Sequence, residues 1–351
     1  MKFASRALLL AALLLSACTK EDFYQEESFV FGTRVEISIY GSDENQARNA
    51  SAAVMQEFQR LHQLLHAWKP SALSELNSAF AAGKTVSINP ELEAILRDAS
   101  ALSQQSGGLF NPSIGGLVRL WGFQADEFLP ALPEAKQLAA LVAAQPQMGD
   151  ISFRPLTKKN SSLQSVASRN RAVQLDLGGY AKGYALDRAA ALLKQRGIQH
   201  ALINIGGNIM ALGTHGSRPW RVGIQHPRKP GPLATLELHD GEAIGTSGDY
   251  QRYFELDGKR YCHLLDPRNG QPVQGVQAVT VLTRGARAGI LSDAASKPVF
   301  IAGAGAWLAT AQKMQLNEVL LIDADGTVHL TTAMQKRLEF KDKNIARKLA
   351  Q

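Results

Sequence analysis

The sequence predicts an α+β fold: one domain of mixed and antiparallel sheets with flanking helices. Three observations lead there. Apolar residues recur at helical spacing through the first third of the chain, strand patterns crowd the region after Ile151, and the two never settle into a regular βαβ rhythm or an internal repeat. No Pro- or Gly-rich linker divides the chain. Residues 29–340 therefore read as a single domain behind a signal peptide (1–17) and a tether (18–28), with a basic tail at 341–351.

The elements follow in order. Lys2 and Arg6 precede an apolar run from Ala7 to Leu15, shorter than the roughly 20 residues that span a bilayer as a helix, so it reads as a signal peptide. It closes on Leu15-Ser16-Ala17-Cys18, which resembles a bacterial lipobox, whose cysteine is lipidated and becomes the new N-terminus. A plain secretory signal and a short membrane anchor are the alternatives. Acyl chains on Cys18 would hold the chain to a membrane facing the periplasm, each buried methylene contributing about 0.8 kcal/mol. Thr19 leaves the inner and outer membranes both open. Residues 19–29 are polar and acidic, a tether. Val35 to Tyr40 alternates as a strand. Asn45 to His66 spaces Ala52, Met55, Phe58, Leu61 and Leu65 as a helix would, and Pro90 to Gln105 and Pro133 to Ala144 read as further helices.

Beyond Ile151 the strands are Ala172–Leu175, Ala201–Ile205, Trp220–Ile224, Ala234–Leu238, Ala243–Ser247, a hairpin of Tyr250–Leu256 with Lys259–Leu264, and Ala278–Leu282. Helices intervene at Lys182–Arg196 and Pro298–Met314. A hairpin of Val319–Asp323 with Val328–Thr331 turns over Asp325-Gly326. The basic stretch Lys336–Lys348 reads as a solvated C-terminal helix, with a membrane-surface contact as the alternative.

Composition bounds the function. The chain has 351 residues, 45% hydrophobic and 20% charged, with a formal net charge of +7, an ordinary globular balance. The positive surplus is thinly spread and not interleaved with aromatics, which argues against nucleic acid as a partner. With Cys18 lipidated, only Cys262 remains, so no intrachain disulfide can form and stability must come from packing.

Chemistry concentrates in three places. Thr246-Ser247-Gly248-Asp249-Tyr250 and His263-Leu-Leu-Asp266-Pro267-Arg268-Asn-Gly270-Gln-Pro272 flank a hairpin turning over Asp257-Gly258, a dipeptide suited to φ > 0. The hairpin should bring Ser247 and Asp249 near His263 and Asp266, joining groups that accept protons, orient a nucleophile and grip a phosphate. Asp176-Leu-Gly178-Gly179-Tyr-Ala-Lys182-Gly183 opens a helix where backbone N–H groups and Lys182 could receive a phosphate. A purely structural glycine turn is equally open there. Asn204-Ile205-Gly206-Gly207-Asn208 supplies a second glycine turn without the spacing of a dinucleotide fingerprint.

Together with Phe31-Gly32-Thr33, these motifs in this order resemble the ApbE family, the FAD:protein FMN transferases, from about Phe29 to Leu330. The resemblance implies a T-fold-like α+β domain. It implies cleavage of FAD at its pyrophosphate, with FMN passing by a phosphoester to a Thr or Ser of a partner protein, typically a membrane-bound or periplasmic electron-transfer subunit. AMP is released and Mg2+ is required. It also implies roles: His263 as base, Asp266 orienting it or serving structure, and Lys182 and Arg268 as phosphate-neutralising cations. Asp176 and Lys182 would contact the flavin nucleotide, with Gly206, Gly207, Thr246, Ser247 and Gly248 lining its site. Phe31, Trp68, Leu109, Phe110 and Asn111 would form its pocket, Asn111 standing where an aspartate is common. Gly179, through its carbonyl, Asp293 and Ser296 would hold the metal.

One departure stands out. Asp293-Ala294-Ala295-Ser296-Lys297 carries lysine where the resemblance expects a metal-binding threonine. An ammonium cannot coordinate a cation. Ser296 or water could supply the missing oxygen, Lys297 could point away, or its charge could take over part of the metal's role. Asp293 could instead be a helix cap, and Pro298 could delay the start of the helix that follows. Two other functions fit the same residues: an FAD pyrophosphatase giving FMN and AMP, and a non-catalytic flavin-binding lipoprotein in redox-complex assembly.

Overall fold

The computed structural model describes residues 23–155 and 164–350. Its strands are β1 (Phe23–Val30), β2 (Thr33–Tyr40), β3 (Val86–Ile88), β4 (Ile151–Pro155), β5 (Gln164–Ser168), β6 (Ala201–Ile205), β7 (Asn208–Leu212), β8 (Trp220–Gln225) and β9 (Pro232–Leu238). There follow β10 (Glu242–Gly248), β11 (Tyr253–Leu256), β12 (Lys259–Cys262), β13 (Val276–Arg284), β14 (Glu318–Asp323), β15 (Val328–Leu330), β16 (Glu339–Phe340) and β17 (Arg347–Leu349). The helices are α1 (Glu44–Leu65), α2 (Ala72–Ala81), α3 (Pro90–Gln105), α4 (Gly115–Leu120), α5 (Ala135–Ala144), α6 (Ala181–Gln195), α7 (Ala288–Ala294), α8 (Ser296–Lys313) and α9 (Thr332–Gln335).

A nine-stranded sheet, ordered β1-β2-β6-β7-β10-β13-β14-β15-β17, runs through the molecule. Its pairs are antiparallel except β15 with β17. Both faces are covered, as alternation along the strands requires. Val35, Ile37 and Ile39 of β2 and Ile203 and Ile205 of β6 pack on Val54, Phe58 and Leu61 of α1 and Ala185, Leu186 and Ala189 of α6. On β13, Val279 and Val281 turn to the same side against Val299 and Phe300 of α8. Its alternate residues Ala278 and Leu282 join Ile244, Leu320 and Ile322 against Trp220, Val222, Leu236 and Leu238 of the small β16-β9-β8 sheet. Each large aliphatic side chain so buried stabilises the fold by about 1.5–3 kcal/mol.

Local signals set the helix starts. Asp43 accepts from the N–H groups of Asn45 and Gln46 at 3.0 and 3.2 Å, capping α1, and Asn89 accepts from Leu92 N at 2.8 Å with Pro90 opening α3. Pro298 lies in the first turn of α8, where proline is tolerated, and the break in that helix falls instead at Gly303, φ +73°.

Several expectations need correction. Residues 23–28, read as tether, belong to β1, an edge strand whose alternation is of polar residues and so lacks an apolar signature. Ala172–Leu175 is not a strand. Gln174 makes one isolated bridge to Ile114, and Leu175 N donates to the Asn77 side chain rather than to a ladder. Lys336–Lys348 is not a helix; it carries β16 and the start of β17, with Lys341 and Lys343 in the exposed loop between them and Arg337 turned inward onto Glu242. The central hairpin is shorter than expected, Tyr253–Leu256 with Lys259–Cys262. The signal peptide and Cys18 lie outside the described residues.

Candidate active site

The site grows from the crossing of α6 and α7. Each helix caps the other. Gly183 N, in the first turn of α6, donates to Asp293 Oδ2 at 3.0 Å, while Gly289 N and Ile290 N of α7 donate to the two carboxylate oxygens of Asp187 at 2.8 and 3.0 Å. The backbones meet too closely for a side chain: a Cβ on Gly183 would fall 2.3 Å from the Gly289 oxygen, and one on Gly289 2.4 Å from the Gly183 oxygen. This crossing sets Asp293 against the turn that carries Lys182.

One helical turn beyond Asp293, Lys297 folds back onto it. Its Nζ donates to Asp293 Oδ1 at 2.6 Å and to the Asp293 carbonyl at 2.7 Å. The lysine stem lies over Gly179, where a Cβ would be 2.8 Å from Lys297 Cε and 3.8 Å from the Phe110 ring. Ser296 Oγ donates to the Asp293 carbonyl at 2.8 Å and meets Ser247 Oγ at 2.7 Å. Burial pushes the Asp293 carboxyl up, but Lys297, Lys182 and the Gly183 N–H together hold it below its usual range. Burial pulls the Lys297 ammonium down and Asp293 opposes it.

His263 sits with these cations. Its Nδ1 is 3.2 Å from the Arg252 carbonyl, an oxygen that can only accept, so Nδ1 carries the proton and Nε2 keeps a free lone pair. Burial, then Arg252, Lys182 and Lys297, lower its pKa to about 3. The imidazole is neutral at physiological pH, as a base must be. Arg252 is braced by Phe123 O at 2.6 Å and by the Phe128 ring at 5.3 Å. Burial lowers its own pKa, and Asp176 opposes that. Asp176 accepts from Gly178 N at 2.8 Å. Burial raises its pKa, partly offset by Gly178, Arg252, His66 and a Trp68 hydrogen bond. Trp68 in turn lies 5.2 Å beneath the Arg119 guanidinium.

The structure thus brings Trp68, Phe110, Asp176, Gly179, Lys182, His263, Asp293 and Ser296 together, with Ser247 behind Ser296. Other expected residues are engaged elsewhere. Asp266 and Arg268 close on each other, Nε to Oδ1 at 2.9 Å and a terminal nitrogen to Oδ2 at 2.7 Å, so neither orients His263; the Arg252 carbonyl does. Asp249 is clamped by Arg228 at 2.6 and 2.7 Å rather than facing His263. Asn111 braces a loop, donating to Pro146 O and accepting from Ser113 N; Leu109 is half-buried two positions before it. Thr246 pairs with Thr280 across β10 and β13 at 2.9 Å, and Gly248 is crowded by the Tyr250 ring. Phe31 meets the Phe58 and His62 rings edge-on at the β1–β2 turn. Gly206 and Gly207 form the β6–β7 turn over Thr33. Arg252 is the participant that sequence reasoning missed.

The residues present do not fit a magnesium ion. Both Asp293 carboxylate oxygens have partners, the Ser296 hydroxyl is engaged, and an ammonium stands beside them. Among the described residues no group of three His, Cys, Asp or Glu side chains is placed to hold a metal.

Comparison with known proteins gives a consistent picture. The FAD:protein FMN transferase of Rhodobacter capsulatus is 43% identical over 314 residues, 90% of this chain; the chain spans 58% of that relative's length. An FAD:protein FMN transferase of Klebsiella pneumoniae (strain 342) is 32% identical over 295 residues, 80% of this chain and 82% of the relative. The crystal structure of the ApbE protein of Thermotoga maritima superposes with a TM-score of 0.80 at 28% identity, covering 90% of this chain and 99% of that one. With residues 31–321 matched by the model of the ApbE family, this chain belongs to the ApbE family.

Proposed function

We propose that this chain is an FAD:protein FMN transferase, moving the FMN part of FAD onto a Thr or Ser hydroxyl of a partner electron-transfer protein and releasing AMP. The observation that carries it is one imidazole whose Nε2 keeps a free lone pair, held among three cations, Lys182, Arg252 and Lys297, in a chain whose relatives bear that name. Phosphoryl transfer asks for positioning and for positive charge on the phosphate oxygens, and this cluster supplies both. The acceptor oxygen attacks the FMN phosphorus, its proton passes to His263 Nε2, and the bridging P–O bond breaks as AMP leaves. Trp68, half-buried, offers apolar surface for the isoalloxazine, while Phe110 is packed in the core beneath it. A divalent cation forms no part of the proposal, because the carboxylate that would hold it is already ion-paired.

The same reading places the chain at the periplasmic face of a bacterial membrane, anchored by lipid on Cys18 after signal-peptide removal. It makes a membrane-bound or periplasmic redox subunit the natural acceptor. Among the described residues no helix is long and apolar enough to cross a membrane. The test is incubation of the purified protein with FAD and a domain bearing a candidate acceptor threonine, read by mass spectrometry. A gain of one FMN on the acceptor, lost in His263→Ala, is expected. Free FMN and AMP without modification would make the chain a pyrophosphatase. Intact FAD, beside a working relative on the same acceptor, would make it a carrier.

A further inference from the structure

We infer that Lys297 is a built-in cation for the diphosphate of FAD, standing in the place of a divalent metal, so that this chain transfers FMN without one. The inference rests on the transferase reading and deepens it. Its first support is occupancy. Lys297 Nζ holds Asp293 Oδ1 and the Asp293 carbonyl at 2.6 and 2.7 Å, while Gly183 N holds Oδ2 at 3.0 Å. A metal ion seeking the carboxylate would have to break a charge-assisted pair whose members are 14% and 1% exposed, and breaking such a pair leaves a buried charge without its partner.

The second support is shape. The lysine stem fills the space above Gly179, where even a Cβ would come within 2.8 Å of it. The ammonium is therefore lodged in a cradle rather than lying across a surface. The third is the surrounding charge. Lys182 and Arg252 act on the same histidine as Lys297, so an approaching metal ion would meet three cations against the carboxylates of Asp293 and Asp176. A phosphate would meet attraction from all three, set against the repulsion of those two carboxylates. The fourth is donor count. An ammonium has three N–H donors, and Asp293 takes two, leaving one for a phosphate oxygen. Ser296, the other oxygen that could reach a metal, is tied to Ser247 and to the Asp293 carbonyl.

A threonine at 297 would offer an oxygen to a metal; lysine offers the charge itself. The bonds made and broken are unchanged: the acceptor O–H proton goes to His263, the O–P bond forms, and AMP departs with the bridging electron pair. Only the source of positive charge differs.

The test has a binding arm and a rate arm, both on the purified full-length protein in detergent. In the first, Mn2+ is titrated without FAD and free Mn2+ is followed by electron paramagnetic resonance. Wild type should show no stoichiometric site, and Lys297→Thr should gain one. In the second, FMN transfer is measured in EDTA and in Mg2+. Wild-type rates should agree within about twofold, whereas Lys297→Thr should lose about 100-fold in EDTA, the scale of removing one preorganised electrostatic contact, and recover in Mg2+. Lys297→Met keeps the stem, removes the charge and should lose a similar factor with no recovery in Mg2+. It carries the rate arm if Lys297→Thr does not fold. A stoichiometric Mn2+ site in wild type that vanishes in Asp293→Asn, or a tenfold loss of wild-type transfer in EDTA, would overturn the inference. No transfer by wild type under any condition would sink the transferase reading instead, and the Mn2+ titration would then decide the metal question alone.

Discussion

At the scale of single residues, His263 is kept unprotonated by its surroundings. Burial and three cations hold its pKa down at about 3, against an ordinary value near 6.5. In the free protein its ring-proton NMR shifts should stay flat from pH 7.5 to 5, and Arg252→Gln, by removing one of those cations, should move its titration upward. A purely structural role for Arg252 would leave that titration where it was. His263→Asn should reduce transfer by about 100-fold or more, the usual contribution of a general base. The same depressed pKa has a stability consequence. A group whose folded pKa lies below its unfolded value contributes stability that is complete above the unfolded pKa and drains as pH falls toward the folded one. Urea midpoints should therefore fall less steeply between pH 6.5 and 5 in His263→Asn than in wild type. His263 was legible from its dense polar motif and Lys182 from the glycine turn that opens α6, whereas Asp293 was legible only through the family resemblance. Arg252 was not, since its part depends on the hairpin returning His263 N to the Arg252 carbonyl at 3.0 Å. Asp266 and Arg268 pair with each other, which is the structural alternative for Asp266. Their spacing of two residues in a tight loop favours each other over any distant histidine.

At the scale of elements, the mutual capping of α6 and α7 ties the reacting groups to the fold. Gly183→Ala or Gly289→Ala forces a methyl into a backbone oxygen less than 2.5 Å away, and overpacking of that kind typically costs about 1–3 kcal/mol. Chemical denaturation should show that loss. Asp187→Asn weakens two N–H contacts at the start of α7 and should cost about 1 kcal/mol while leaving Asp293 in place. Helix ends were legible where the cap is local, as at Asn89-Pro90. The α6–α7 caps were not, because donor and acceptor are about a hundred residues apart in the chain. β1 escaped notice for a related reason: its place is set by pairing with β2, from Phe23↔Tyr40 to Val30↔Thr33, rather than by an apolar stripe of its own.

At the scale of the molecule, the central sheet joins distant parts of the chain. Val35 of β2 pairs with Ile205 of β6, and β7 pairs with β10 before β13 and β14 extend the sheet. Such non-local pairing makes folding slow, on the order of milliseconds to seconds or longer. Stopped-flow refolding should show a main phase in that slow range with no disulfide-dependent step, since Cys262 is a buried free thiol. The α+β class was readable from the mixture of periodicities; the strand order was not, because nothing local records which strand lies beside which. The position of β1 also bears on whom this protein can meet. Its first residue, Phe23, follows Cys18 by five residues, at most about 18 Å of fully extended chain. With a lipid on Cys18, the sheet's outer edge is moored on a short leash, and encounter becomes a search in two dimensions, in which acceptors sharing that membrane surface are met often and freely diffusing ones seldom.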